Sequence, residues 1–168
     1  MKVLRWFGIP LAVAMLAACG SSSKPAATTV PTTLAPATTT TLDPVAAKAA
    51  ITSQWEGFFD GSTSMDSRLA KLESGQQLTS VLQGFSSQAA TSTAKVTAIT
   101  LLGDPDCTDN GVSAPCAKVT YDILVKGAVA LPNSIGYAVD VNGTWLVSKS
   151  TFCTLAALGN GNKTPTGC

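Results

Sequence analysis

Residues 16–19, Leu-Ala-Ala-Cys, constrain the chain most, because they close a hydrophobic leader with the small-small-Cys pattern of bacterial lipoproteins. Lys2 and Arg5 give the leader a positive start, and a short apolar stretch follows them. The pattern predicts a signal peptide over residues 1–18 and a mature chain that begins with a lipidated Cys19. The rest of the chain is then expected to fold outside the cytoplasm.

Membrane attachment is expected to come from lipid, because the apolar part of the leader is shorter than the about 20 residues that span a bilayer. The polar run of residues 21–24 ends the apolar stretch soon after Cys19. Acyl chains on the Cys19 thiol would instead hold the protein at the membrane, with a binding free energy of about 0.8 kcal/mol per buried CH2. The alternative is an ordinary secretory leader with a coincidental Cys. We expect the protein on the extracytoplasmic face of the cell membrane, with some of it shed from the envelope.

The cysteines other than Cys19 form an even set, which an exported chain is expected to oxidise. Spacing favours a bond between Cys107 and Cys116 across a polar turn, and a bond between Cys153 and Cys168 that ties down the C-terminus. Metal binding is the competing interpretation. Because the chain has no His and no CxxC spacing, we expect no metal and no cofactor.

Charge and the lack of histidine exclude several classes of function. Without Lys2 and Arg5, nine of the 11 basic side chains remain against ten acidic ones, so the mature chain is close to neutral. It therefore lacks the basic footprint of a nucleic-acid-binding protein. The absence of His excludes Ser-His and Cys-His nucleophiles. We expect a protein that is not an enzyme.

An isomerase-type site is the remaining catalytic alternative, since that chemistry needs only a carboxylate base and an acid in an apolar pocket. The candidate donors and acceptors are Tyr121 or Tyr137 with Asp60, Asp122 or Asp140. Side chains alternate between the faces of a strand, so Asp122 is expected to point away from Tyr121 and Asp140 away from Tyr137. Asp60 is expected to end a helix.

Residues 19–44 form the next unit, a lipidated Cys followed by a stretch rich in Thr, Pro, Ala and Ser. The stretch has no helical or strand periodicity and almost no bulky apolar side chain, which predicts a disordered tether. It would reach up to about 75 Å if extended and roughly 28 Å as a flexible coil. Its Thr and Pro content also suits O-glycosylation.

Residues 45–168 have the length of a single domain, and the first part of this segment has helical periodicity. Asp43 followed by Pro44 is typical of an N-cap and a first helical residue. A capping-box spacing from Thr63 to Asp66 predicts a second, short helix. A third helix is expected over residues 76–90.

After Ser92 the apolar period changes to two, which predicts antiparallel strands over residues 95–102, 117–126, 136–141 and 144–150. The turn Asn142-Gly143 favours a type I′ hairpin, in which Asp140 lies opposite Trp145. A short helix over residues 152–158 is expected to close the domain. The sequence thus predicts an α+β domain, with about three N-terminal helices packed on a four-stranded antiparallel curved sheet.

Several short motifs occur in an order and spacing that resemble a known family. They are Trp55, residues 58–62 (FFDGS), 72–75 (LESG), 95–97 (KVT), 119–124 (VTYDIL) and 143–147 (GTWLV), and Phe152-Cys153. In this order they resemble the low-molecular-weight antigen family of exported actinobacterial proteins, over roughly residues 45–168. The resemblance implies a cystatin-like or nuclear transport factor 2-like cone, in which a curved sheet wraps around helices. It implies no enzymatic role.

A cone of this kind is expected to offer an apolar pocket between its helices and the concave sheet. The candidates for the lining are Trp55, Phe58, Phe59, Phe85, Tyr121, Tyr137 and Trp145. Core packing is the competing and default use of such side chains. We therefore expect a displayed, non-catalytic binding or interaction domain whose partner the sequence does not identify; the candidate partners are an apolar ligand and an envelope protein. The alternative is a carrier of an apolar small molecule or envelope lipid.

The Cys19→Ala variant is expected to lose its acyl mass and its membrane association, because the thiol is the only proposed point of attachment. Mass spectrometry and detergent-phase partitioning of the variant would measure both effects, with Ser21→Ala as the matched control. A Cys19→Ala protein that is processed normally and stays in the membrane fraction contradicts the lipoprotein prediction.

Overall fold

The computed structural model of the protein describes residues 43–168. The predicted signal peptide, the lipidated Cys19 and nearly all of the tether lie outside the described residues. Within residues 43–168, no helix combines the length and apolar character needed to cross a bilayer.

The described residues form an α+β fold in which helices α1 to α3 precede a four-stranded sheet, as the sequence predicts. The helices are α1 (Pro44–Phe59), α2 (Met65–Leu69), α3 (Thr79–Ala89), α4 (Asp104–Asp109) and α5 (Lys149–Gly159). The strands are β1 (Ser92–Leu102), β2 (Cys116–Val125), β3 (Ala128–Val141) and β4 (Thr144–Val147). They pair antiparallel in the order β1-β2-β3-β4, and the sheet does not close.

Side-chain caps explain where the helices begin. The Asp43 carboxylate accepts a hydrogen bond from the Val45 N–H at 3.0 Å, with Pro44 in the first turn, so the predicted start of α1 is confirmed. The predicted cap of α2 at Thr63 is wrong by one residue. Ser64 occupies that position and accepts from the Ser67 N–H at 3.3 Å.

Several predicted boundaries are wrong for local physical reasons. The third helix begins at Thr79 rather than at residue 76, because a 3-10 turn over Gly75–Leu78 precedes it. The last strand ends at Val147, since the Ser148 side chain accepts from the Thr151 N–H and starts α5 three residues before the predicted position. Strand β3 begins at Ala128, eight residues earlier than predicted, because its first residues pair with the end of β2. Residues 128–133 are exposed and show no alternation of buried positions, so the sequence carries no period-two signal there.

The main core lies between α1 and one face of the sheet. Ile51, Trp55, Phe58 and Phe59 recur on one face of α1 and are at most 1% exposed. The Trp55 ring packs edge-on to Tyr121 of β2, with a centroid distance of 5.0 Å, and Phe59 stacks on the same ring at 5.5 Å. These aromatic contacts fix α1 across the sheet.

Gly136 of β3 permits this close approach. A Cβ atom at this position would lie 2.9 Å from Trp55 Cη2 and 2.5 Å from Thr151 Cγ2. Both distances are shorter than a carbon–carbon contact allows, so any side chain here would push α1 or α5 away from the sheet.

A buried arginine joins the helices at the C-terminal end of α1. Arg68 of α2 is 2% exposed, and its Nε donates to the Phe58 carbonyl at 2.8 Å. Its Nη1 donates to Ser86 Oγ of α3 at 3.0 Å, and the guanidinium lies over the Phe58 ring. The cation thus satisfies a carbonyl at the negative end of the α1 dipole.

The outer face of the sheet carries a second, smaller core. The disulfide Cys107–Cys116 packs there with Val112 and Val139, beneath α4. The other disulfide joins Cys153 of α5 to Cys168. These are the two pairs that the spacing favours, and α4 is a helix where the sequence predicts only a polar turn.

The Gly136→Ala variant is expected to lose about 1 to 3 kcal/mol of unfolding free energy, because its new methyl group overpacks the Trp55 contact. Gly103→Ala is the matched control, since a Cβ atom there would meet no atom within 4 Å. Urea denaturation of both variants measures the difference. Equal stability of the two variants would contradict the packing described for Gly136.

Candidate binding cleft

The short length of β4 creates the site. Among the described strands, β4 pairs only with Ala138–Val141, so the earlier part of β3 has no strand on its outer side. Helix α5 docks there instead. Its Thr151 Oγ1 accepts from the Tyr137 N–H at 2.8 Å, and the Ser148 N–H donates to the Tyr137 carbonyl at 2.9 Å. A cleft remains between the rest of α5, α3 and the sheet.

One part of the cleft, here called the apolar lobe, has a volume of about 390 Å³. It lies between α3, α5 and the ends of β2 and β3, and its lining contains no charged side chain. The principal contributors are Phe85, Ile123, Val125, Leu131, Leu155 and Leu158. An uncharged concavity of this size is typical of small-molecule sites in proteins.

The second part, here called the polar lobe, also has a volume of about 390 Å³ and lies beside the N-terminal half of α5. It shares Leu131, Leu155 and Leu158 with the apolar lobe, so the two lobes are neighbours. Its other lining residues are mainly hydroxyl-bearing or amide side chains: Asn110, Ser134, Tyr137, Ser150, Thr151 and Thr154. No charged side chain lines it.

The cleft is bordered by aliphatic side chains that the fold leaves in solvent. Val125, Leu131, Ile135 and Leu158 are 39%, 45%, 61% and 56% exposed, respectively. Exposed apolar residues clustered around a concavity mark a site where a ligand or partner can bury more apolar surface.

Tyr121 lies at the floor of the polar lobe and is fully buried. Its hydroxyl has no hydrogen-bond partner among the described residues. Burial raises the pKa of this phenol, so the group stays protonated and can donate a hydrogen bond throughout the physiological range. An unpartnered buried hydroxyl is unfavourable for the fold, and a ligand oxygen would relieve that penalty.

The predicted aromatic lining divides between the cleft and the core. Phe59 and Phe85 line the apolar lobe, while Tyr121 and Tyr137 line the polar lobe. Trp55, Phe58 and Trp145 are packed in the core and border neither lobe. Sequence reasoning missed the aliphatic lining, although the spacing of Leu155 and Leu158 places both on one face of α5.

The acidic residues considered for isomerase chemistry make local hydrogen bonds. Asp60, Asp122 and Asp140 accept backbone N–H groups of Ser62, Asn133 and Gly143 at 2.8, 2.8 and 2.6 Å. Bonds from the Ser62 hydroxyl and N–H lower the pKa of Asp60. None of the three carboxylates lines either lobe. Among the described residues, no cluster of three or more His, Cys, Asp or Glu is placed to hold a metal ion.

Comparison with known families bears directly on this domain. The model of the family described as low molecular weight antigen MTB12, C-terminal domain, matches residues 44–163. The chain belongs to this family. The resemblance inferred from the motifs is thereby confirmed, and membership in this antigen family indicates an exported protein. No curated protein and no solved structure matches the chain.

The Tyr121→Phe variant of this antigen-family domain is expected to be about 1 kcal/mol more stable than the parent, because it removes a buried hydroxyl that makes no hydrogen bond. Tyr137→Phe is the matched control. It should lose stability, since the Tyr137 hydroxyl donates to Asn110 Oδ1 at 2.6 Å. Thermal and urea denaturation measure both changes, and a destabilised Tyr121→Phe protein would contradict the assignment of an unpartnered hydroxyl.

Proposed function

We propose that this member of the antigen family is a lipid-anchored envelope protein whose domain is a non-catalytic binding module for an apolar ligand. The binding site is the cleft formed by the apolar and polar lobes. One observation carries the proposal: an uncharged concavity bordered by exposed aliphatic side chains, where α3 and α5 approach the sheet.

Hydrophobic burial supports an apolar ligand rather than a polar one. Leu131 and Leu158 lie on opposite sides of the cleft, one on β3 and the other on α5, and both belong to both lobes. A ligand between them would remove apolar surface on each side from water. This burial stabilises the complex by about 25 cal/mol for each Å² of apolar surface buried. A polar ligand would lose its hydration without any charged group to replace it.

The chemistry of the lining supports a role in binding rather than catalysis. Both lobes lack carboxylates, amines and thiols, and the chain has no His. Acid–base catalysis at neutral pH needs a group of this kind within hydrogen-bond reach of the substrate. The Tyr121 hydroxyl is a donor, but no lining residue is a base that would work with it.

The sequence before the domain supports display at the membrane. The Leu-Ala-Ala-Cys pattern ends at Cys19, and the Thr- and Pro-rich segment that follows separates it from Pro44, where α1 begins. Anchoring by acyl chains would keep the domain near envelope lipids, which are the most abundant apolar molecules at that location.

Binding of N-phenyl-1-naphthylamine, a neutral apolar fluorophore, tests the proposal. The mature chain from Gly20 onward, exported behind an ordinary secretory leader, forms its disulfides and carries no acyl chain of its own. Titration is expected to give a saturable rise in fluorescence with one site per chain.

Matched variants identify where the fluorophore binds. Leu158→Glu, which introduces a carboxylate into the wall shared by both lobes, should weaken binding at least tenfold. Val45→Glu, at an exposed position of α1 that is 77% accessible, should leave binding unchanged. The proposal is overturned if fluorescence does not saturate, or if the two variants bind the fluorophore equally.

A further inference from the structure

We infer that the cleft is built for a single-chain amphiphile with an uncharged, hydroxyl-bearing headgroup, of the monoacylglycerol type. Its acyl chain would lie in the apolar lobe and its headgroup in the polar lobe. This inference rests on the proposed function, because it specifies the ligand class of the same cleft.

The size of the apolar lobe favours one acyl chain. Its 390 Å³ would hold about a dozen methylene groups, if each takes about 30 Å³, the volume of one water molecule in the liquid. A lipid with two long chains would leave its second chain in solvent. The aromatic ring of Phe85 and the aliphatic side chains of Ile123 and Val125 provide continuous apolar contact for a single chain.

The continuity of the two lobes favours an amphiphile over a wholly apolar molecule. Leu131, Leu155 and Leu158 line both lobes, so a chain that fills the apolar lobe leads directly into the polar one. In the polar lobe, hydroxyl-bearing and amide side chains are added to these leucines and Ile135, whereas Ser92 is the single polar side chain among the residues that line the apolar lobe. The change in lining along a single cleft matches the change in polarity along a single amphiphilic molecule.

The polar lobe is equipped for oxygen atoms of a ligand. The buried Tyr121 hydroxyl has no partner among the described residues and can donate to an ester carbonyl or a hydroxyl oxygen. The Thr154 hydroxyl donates one bond, to the Ser150 carbonyl, and its oxygen can also accept from a ligand. Thr151 Oγ1 already accepts from the Tyr137 N–H and the Ser148 hydroxyl, so it holds α5 on β3 rather than a ligand.

The absence of charge in the lining discriminates between headgroups. A carboxylate or phosphate in the polar lobe would find no Lys or Arg, and an ammonium group would find no Asp or Glu. An ion moved from water into such a site loses hydration without compensation, whereas a hydroxyl exchanges one set of hydrogen bonds for another. The structure therefore favours a neutral headgroup over an ionised one.

Calorimetric titration of the mature chain with three decyl amphiphiles tests the inference. The ligands are 1-monodecanoylglycerol, decanoate and decyltrimethylammonium, each used below its micelle concentration. We expect one site per chain for monodecanoylglycerol, with an affinity at least tenfold higher than for either ion. Leu158→Glu should abolish this binding, and Val45→Glu should preserve it.

The outcomes separate the inference from the proposed function. Equal affinity for the three amphiphiles, or tighter binding of an ion, overturns the headgroup assignment while the apolar cleft stands. If monodecanoylglycerol fails to bind and N-phenyl-1-naphthylamine binds, the inference alone falls. If neither binds, both fall.

The Tyr121→Phe variant tests the placement of the headgroup. It should bind monodecanoylglycerol at least threefold more weakly than the parent, although its fold is expected to be more stable. Unchanged affinity would show that the Tyr121 hydroxyl makes no contact with the headgroup, and would overturn the assignment of the headgroup to the polar lobe.

Discussion

The packing of Trp55 and Phe59 on the Tyr121 ring is the contact on which the rest of the fold depends. It brings α1 across one face of the sheet, and it is possible because Gly136 has no side chain to hold the Trp55 ring away. Aromatic side chains therefore fill the space between α1 and this face of the sheet. The apolar and polar lobes lie where α3 and α5 approach the sheet.

The same contact determines the character of that space. Tyr121 is held by its ring on the core side, yet the residue also forms the floor of the polar lobe. Its hydroxyl is thus positioned by the core and left without a partner among the described residues. Because β4 is short, α5 rather than a strand covers this part of β3, and leucines of α5 form the wall that joins the two lobes. A preorganised donor at one place in a mostly apolar cleft is a common basis of ligand specificity.

Local chemistry in the sequence was sufficient to predict much of this fold. Asn142-Gly143 predicts the hairpin register in which Asp140 lies opposite Trp145, and the structure has that register. Non-local effects were not predictable. The start of β3 at Ala128 depends on pairing with β2 rather than on any alternation of its own residues, and α5 begins where Ser148 supplies a cap. Periodicity could not separate Trp55 in the core from Phe85 in the cleft, because both uses require an apolar side chain at helical spacing.

Isotope-filtered nuclear Overhauser measurements would test the central claim most directly, that the cleft between α5 and the sheet holds the chain of a neutral amphiphile. The account predicts contacts from the acyl methylenes of monodecanoylglycerol to the methyl groups of Leu155, Leu158 and Ile123. Contacts to methyl groups outside the cleft, such as those of Val45 or Val141, in the absence of contacts to these three residues, would contradict it.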